Sequence, residues 1–286
     1  MDKAEGGWEL ALGGLEEAAD IIGPLLETRG AEVDVDSAGE LLARFEGAPD
    51  LLVMDALGAW LDGLRLDDVA LRTRRLDAAG EGEWLDGWRA VFTATQLSPR
   101  LWVRPVWEPA VEGRVEVIID PTRAFGAGFH PTTSACMAEL DRALGDRTGV
   151  SVLDVGTGTG ILAIAAAHLG AEVVGVEIDA VACIDAERNA ALNGVSERIR
   201  VRHGSLELLA DPTHGLPPSY ELVVANVLGP ILVKLAPAII PACDARLILS
   251  GIMLEREPEV IAAYPGFGLV ARVEVRGWVT LHLQRI

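Results

Sequence analysis

The sequence predicts a two-part α/β chain. A small β-α-β-β-α-β sandwich is followed by a doubly wound, mostly parallel sheet that ends in an antiparallel hairpin. Three observations carry this reading. From Ser151 onward, β-branched runs alternate with helical apolar patterns, the signature of parallel strands linked by helices on both faces. The last stretch, Gly268 to Ile286, reads as two strands joined near Gly277, which implies one antiparallel strand at or near a sheet edge. The chain has 286 residues, half of them hydrophobic, enough for about two domains at roughly 150 residues each.

The elements follow in order. Trp8 to Leu12 reads as a short strand. Leu15 to Thr28 places Leu15, Ala18, Ala19, Ile22, Leu25 and Leu26 at helical spacing, and Gly30 stops the helix as a C′ glycine. Glu32 to Asp36 alternates, with Val33 and Val35 on one face, and Leu41 to Phe45 is a second strand. Asp50 to Leu64 is helical in pattern, and Val69 to Leu76 alternates again. This order predicts a ferredoxin-like α+β domain over residues 1–77. Ala78 to Gly82 reads as a linker, and Glu83 to Ala94 as an amphipathic helix with Trp84 and Trp88 on one face, so residues 78–100 connect the two parts. The second domain, 101–286, opens with strands over Leu101 to Val106 and Val115 to Ile119. A glycine-rich loop, Asp120 to His130, leads to a helix over Thr132 to Leu144. Strands are expected at 151–155, 172–177, 199–202, 221–225 and 246–250, with helices at 160–169, 180–192, 229–239 and 255–263.

Composition narrows the function classes. Acidic residues outnumber basic ones 43 to 24, a formal net charge of −19. Up to Ala110 the count is 22 acids against 10 bases, so the front is the more acidic part. Such a field repels nucleic-acid backbones and attracts basic partners, although solubility alone also explains it. The preference for arginine over the two lysines, Lys3 and Lys234, reads as base composition. Six of the seven tryptophans lie at or before Trp107, which sets the front apart. The three cysteines, Cys136, Cys183 and Cys243, are scattered without CxxC or Cys/His spacing. Neither a metal site nor a disulfide framework is expected, and a reducing cytoplasm fits. Met1 to Gly7 is acidic and polar, unlike a signal peptide. The longest apolar run, Ile161 to Val176, is broken by His168 and Glu172 and falls short of the ~20 residues of a membrane span.

Residues 151–160 read SVLDVGTGTG: a β-branched strand runs into Gly156, Gly158 and Gly160 before a helix begins. Glycines there allow a tight turn and close backbone approach to a ligand. The spacing is GxGxG, not the GxGxxG of dinucleotide binders. Asp154, two residues before the first glycine, holds the loop, accepts a hydrogen bond from a ligand amine, or merely caps the turn. The next strand ends at Glu177, where an acidic side chain can accept both hydroxyl hydrogens of a ribose; Asp179 is the rival. The third strand ends at His203-Gly204-Ser205, either a contact to a base or a plain turn. Together these parts, over residues 120–286, resemble the Rossmann-like domain of class I S-adenosylmethionine-dependent methyltransferases, whose last strand is reversed.

Residues 222–230 read LVVANVLGP, with Asn226 closing a strand where that fold presents its acceptor. Adenine and glutamine N-methyltransferases resemble (N/D/S)-P-P-(Y/F/W) there. Val227-Leu228-Gly229 offers no aromatic plane, so a flat acceptor is disfavoured and a side-chain amide remains to orient an amine. The loop DPTRAFGAGFHPTTSAC, with ANVL and the segment EWLDGW (Glu83 to Trp88), is similar to the ribosomal protein L11 methyltransferase family (PrmA type), whose loop resembles FGTG-x-H-x-TT. Phe125, Gly126, Gly128, His130, Thr132 and Thr133 match it; Ala127 replaces a threonine, Phe129 a polar residue, and Glu177 the usual aspartate.

The resemblance implies S-adenosyl-L-methionine as cofactor, bound by Thr133, Asp154, Gly156, Gly158, Gly160, Glu177 and Asn226. It assigns Phe125, Gly126, Gly128 and His130 to a substrate loop, and Asn226 to catalysis through orientation of the amine. His130 is either a proton acceptor or a hydrogen bond holding the loop. The implied activity is methylation of amines, on lysine side chains and an N-terminus, of a basic ribosomal protein by a cytoplasmic monomer that binds neither nucleic acid nor membrane. The alternatives are a lysine methyltransferase of the same family acting on another protein, a non-catalytic binding module and an NAD-dependent oxidoreductase. The glycine spacing and the closing hairpin argue against the last.

Overall fold

A computed structural model describes residues 8–13, 26–27, 31–35, 41–45, 70–75, 93–120, 131–209 and 211–286. The chain divides into two compact units, Met1–Thr93 and Ala94–Ile286. In the first, strands β1 (Trp8–Gly13), β2 (Glu32–Val35), β3 (Leu41–Phe45) and β4 (Ala70–Arg75) form an antiparallel sheet in the order β2-β3-β1-β4. The first strand is therefore central, paired Trp8↔Phe45 to β3 and Trp8↔Arg75 to β4. This is the order a β-α-β-β-α-β chain adopts when each helix carries it past a neighbour. Leu26, Leu41 and Ala43 are buried. The helices expected over 15–28, 50–64 and 83–94 lie outside the described residues, apart from the helical pair Leu26–Glu27 and the last residues, Thr93 and Ala94.

The second unit begins with a three-stranded sheet, β5 (Thr95–Gln96), β6 (Leu101–Pro105) and β7 (Val115–Ile119). The first pair is antiparallel and the second parallel. Strand β5 is absent from the sequence reading because two residues carry no periodicity. Helix α1 (Pro131–Leu144) follows. Then come β8 (Ser151–Val155), α2 (Ile161–His168), β9 (Glu172–Glu177), α3 (Ala180–Leu192), β10 (Ile199–His203), β11 (Tyr220–Asn226), α4 (Gly229–Ala242), β12 (Cys243–Met253), α5 (Glu257–Ala263), β13 (Phe267–Val275) and β14 (Trp278–Arg285). These strands form a seven-stranded sheet in the order β10-β9-β8-β11-β12-β14-β13. Strands β8 to β12 are mutually parallel, and β14 runs antiparallel to both its neighbours. The reversed strand therefore lies one place in from the edge. Arg276 and Gly277 have φ of 53° and 81°, the left-handed pair of a two-residue hairpin turn.

The core has two layers, one on each face of the sheet. Helices α1, α2 and α3 pack Cys136, Leu140, Ile164 and Ala186 against Val152, Val224 and Ile248, and β6 and β7 add Val103 and Ile119. On the other face α4 and α5 pack Leu232, Ile239 and Val260 against Leu153, Val223 and Leu249. Residues alternate between the two faces along each strand, as a sheet covered on both sides requires. The expected strand 246–250 is longer in the structure, Cys243–Met253, because it continues through a bulge at Ser250 and Gly251 that breaks the apolar pattern. Chain order reverses between β8 and β11, and this opens a crevice at the carboxyl ends of these strands.

Candidate active site

The turn after β8 has the geometry its glycines predict. Gly156, Gly158 and Gly160 have φ of 73°, 55° and 83°. A Cβ on Gly156 would fall 2.7 Å from Cγ1 of Val227, and one on Gly160 would fall 3.2 Å from the Ala186 backbone on α3. Side chains are excluded here both by the left-handed backbone and by space. Asp154 sits beneath the turn, 1 % exposed. Its Oδ2 accepts a 2.7 Å hydrogen bond from the Thr157 hydroxyl, while Oδ1 is buried with no partner among the described residues. Burial pushes this carboxyl up to about 7, against the Thr157 hydrogen bond, with help from the nearby Glu177 charge and against a smaller pull from the Ala163 amide.

Glu177, at the end of β9, holds the turn from the side. Its Oε2 accepts the Gly158 amide at 2.9 Å, and Oε1 accepts the amides of Ile178 and Asp179 at 2.8 and 3.1 Å. Two donors fill Oε1, which leaves one acceptor position on Oε2. The rival Asp179 is instead the N-cap of α3, accepting the Val181 amide at 2.7 Å. Gly204 donates its amide to the Glu177 carbonyl at 2.7 Å, and the His203 ring meets the Ile178 carbonyl at 3.0 Å. The His203–Ser205 segment thus lies against the same wall of the crevice.

Asn226 closes β11 in register with Ser250. Its Nδ2 donates to Oγ1 of Thr133 at 3.4 Å, a long bond to a fully buried hydroxyl in the first turn of α1. Gly156 follows β8 directly and Asn226 ends the adjacent β11 at the reversal point, and Glu177 ends β9 on the other side of β8. Phe125, Gly126, Ala127, Gly128, Phe129 and His130 lie outside the described residues.

Three features escaped the sequence. Asn189 on α3 is 1 % exposed, donates to the Thr159 carbonyl at 2.9 Å and accepts the Asp120 amide at 3.1 Å. One turn later Asn193 brackets Ile118, accepting its amide at 2.8 Å and donating to its carbonyl at 2.6 Å. The i, i+4 spacing was the available signal, since it puts both amides on one helix face. Gly251, φ 81°, presses on Val227, where a Cβ would fall 2.7 Å from the carbonyl carbon and closer still to the oxygen. Its only trace in the sequence is a glycine inside a strand pattern.

The donor set fits S-adenosyl-L-methionine. An orphaned carboxylate oxygen on Asp154 suits an ammonium, the remaining Glu177 position suits a ribose hydroxyl, and the glycines leave bare backbone between them. The reversed β14 separates this sheet from the dinucleotide-binding folds; it is the sheet of the class I S-adenosylmethionine-dependent methyltransferases. A family model described as ribosomal protein L11 methyltransferase (PrmA) matches residues 38–286. The chain belongs to that family, and S-adenosyl-L-methionine is its cofactor. The ribosomal protein L11 methyltransferase of Myxococcus xanthus is 37% identical over 215 residues, 73% of this chain and 72% of that protein. That of Azotobacter vinelandii is 38% identical over 263 residues, 90% and 85% of the two chains. The crystal structure of ribosomal protein L11 methylase from Lactobacillus delbrueckii subsp. bulgaricus superposes with a TM-score of 0.60 at 33% identity, covering 68% of this chain and 99% of that one.

Proposed function

We propose that this chain transfers methyl groups from S-adenosyl-L-methionine to amines of ribosomal protein L11, on lysine side chains and the N-terminal amine. The observation that carries the reading is Asn226, an amide held by Thr133 at the end of β11, the strand beside the one that runs into the glycine turn. With Nδ2 engaged by Thr133, its Oδ1 remains to accept an N–H of the acceptor and aim the nitrogen lone pair. Asp154 and Glu177 take the ammonium and ribose ends of the cofactor, beside the backbone of Gly156, Gly158 and Gly160. Thr133 and Asn226 face its reacting end. The bound cofactor supplies an electrophilic methyl group on a sulfonium. In-line displacement demands alignment more than acid–base chemistry. A lysine with a pKa near ~10.4 attacks only when neutral, so the site must favour loss of its proton by desolvation and by the neighbouring positive charge.

The formal net charge of −19 suits a basic partner and disfavours nucleic acid. Monomeric action in the cytoplasm fits the same reading. The departures at Ala127 and Phe129 support a second reading, a lysine methyltransferase of another protein. Intact-mass measurement of recombinant L11 after incubation with the enzyme and cofactor tests both. Mass gain in methyl steps, lost in Asn226→Ala with cofactor binding kept, is the expected result. No gain despite cofactor binding would transfer the activity to another protein. An Asn226→Ala enzyme with normal turnover would remove Asn226 from the chemistry.

A further inference from the structure

Val227, the residue after Asn226, is gripped from two strands at once. On the β8 side its Cγ1 rests on Gly156, where a Cβ would come within 2.7 Å. On the β12 side its backbone rests on Gly251, where a Cβ would lie 3.3 Å from the Val227 nitrogen and 2.7 Å from its carbonyl carbon. Both glycines are left-handed, with φ of 73° and 81°, so neither position accepts a side chain without strain. Gly251 belongs to the bulge at which the pairing of β12 with β14 shifts register. That bulge is fixed from the far side by a 2.5 Å hydrogen bond between the buried hydroxyls of Ser250 and Thr280. Only Leu228 separates Val227 from the first residue of α4. Val227 therefore has little freedom to shift without moving Asn226 or the glycine turn.

We infer that Val227 is a positioning residue for methyl transfer: seated between Gly156 and Gly251, it registers Asn226 against the turn that holds the cofactor. The inference rests on the reading of Asn226 as the group that aims the acceptor amine. A β-branched side chain suits the task, because its restricted χ1 makes it a rigid spacer. The contact with Gly156 is to a methyl group, so shortening the side chain releases the spacer and leaves the backbone of the turn intact. Shortening should then affect the acceptor more than the cofactor, since β9 still holds the turn: the Val176 carbonyl accepts the Gly156 and Thr157 amides and Glu177 accepts the Gly158 amide.

The test measures kcat and KM for both substrates, and cofactor Kd by calorimetry, in Val227→Ala and Val227→Thr with L11 as acceptor. We expect kcat in Val227→Ala to fall about tenfold or more, the scale on which small misalignments act, with cofactor Kd within about twofold of the parent. Val227→Thr, which has the same shape, should restore most of the lost kcat. A Val227→Ala enzyme that keeps its kcat while Asn226→Ala loses it would overturn the inference and leave the proposed function standing. A thermal midpoint lowered in Val227→Ala with no change in kcat would likewise reduce Val227 to packing. Loss of kcat in both Val227 variants, with the thermal midpoint of Val227→Thr kept, would also overturn it, because the added hydroxyl would then be tolerated and shape would not be what matters. A parent enzyme that transfers no methyl group to L11 would bring down the proposed function, and this inference with it, by a separate observation.

Discussion

Asp154 and Glu177 are both carboxylates of the crevice, yet the fold treats them differently. Glu177 has three backbone amides to accept and needs no ligand to be satisfied. Asp154 has the Thr157 hydroxyl, a weaker pull from the Ala163 amide and an Oδ1 without a hydrogen bond, and burial raises it to about 7. A folded-state value above the unfolded 3.8 means the native protein holds that proton more tightly than the unfolded chain. Stability contributed by the protonated form is therefore complete below about 4 and is lost as pH rises to about 7. Urea midpoints at pH 5 and 8 should differ accordingly, and Asp154→Asn should remove this part of the slope. Cofactor affinity should run the other way, rising as pH passes up through about 7, because an ammonium favours the ionised carboxylate; calorimetry of Asp154→Asn should show that rise flattened. In Glu177→Gln an amide group must face at least one backbone N–H, an interaction lost rather than weakened. We expect KM for the cofactor to rise about tenfold, with kcat changed far less, as steady-state kinetics would show.

Elements governed by local chemistry were legible in the sequence. β8 and β9 have the bounds their β-branched runs predict, α3 spans the expected Ala180–Leu192, and the glycine turn follows from three residues that alone tolerate positive φ. Features decided by a partner distant in sequence were not. The Ser250-Gly251 bulge exists because β14 lies opposite it, and Asn193 matters because Ile118 offers an unpaired backbone edge 75 residues earlier. Asn193→Ala should therefore cost about 1–3 kcal/mol in urea unfolding by stranding both Ile118 groups, with cofactor affinity kept. Gly251→Ala should lower the thermal midpoint and kcat together, since its Cβ would push into the Val227 carbonyl.

At the scale of the whole molecule, the charge and the class of the sheet were readable, because composition and strand–helix alternation are summed properties that survive local errors. The strand order of the first unit agrees with its sequence pattern. Among the described residues no helix is long and apolar enough to cross a membrane, and no cluster of side chains is suited to a metal ion. A net of −19 should speed encounter with a basic substrate and lose that advantage with salt. Stopped-flow association rates that stay flat between low and physiological ionic strength would remove this role for the charge. The Glu177 clamp has a last consequence. It is set before any ligand arrives, and the ribose we propose it binds is a group the donor keeps after giving up its methyl group. Spent thioether should thus compete for the crevice nearly as well as fresh donor. Throughput then follows the ratio of the two rather than the supply of either, and a cell slow to clear the spent form would make undermethylated substrate even with donor in plenty.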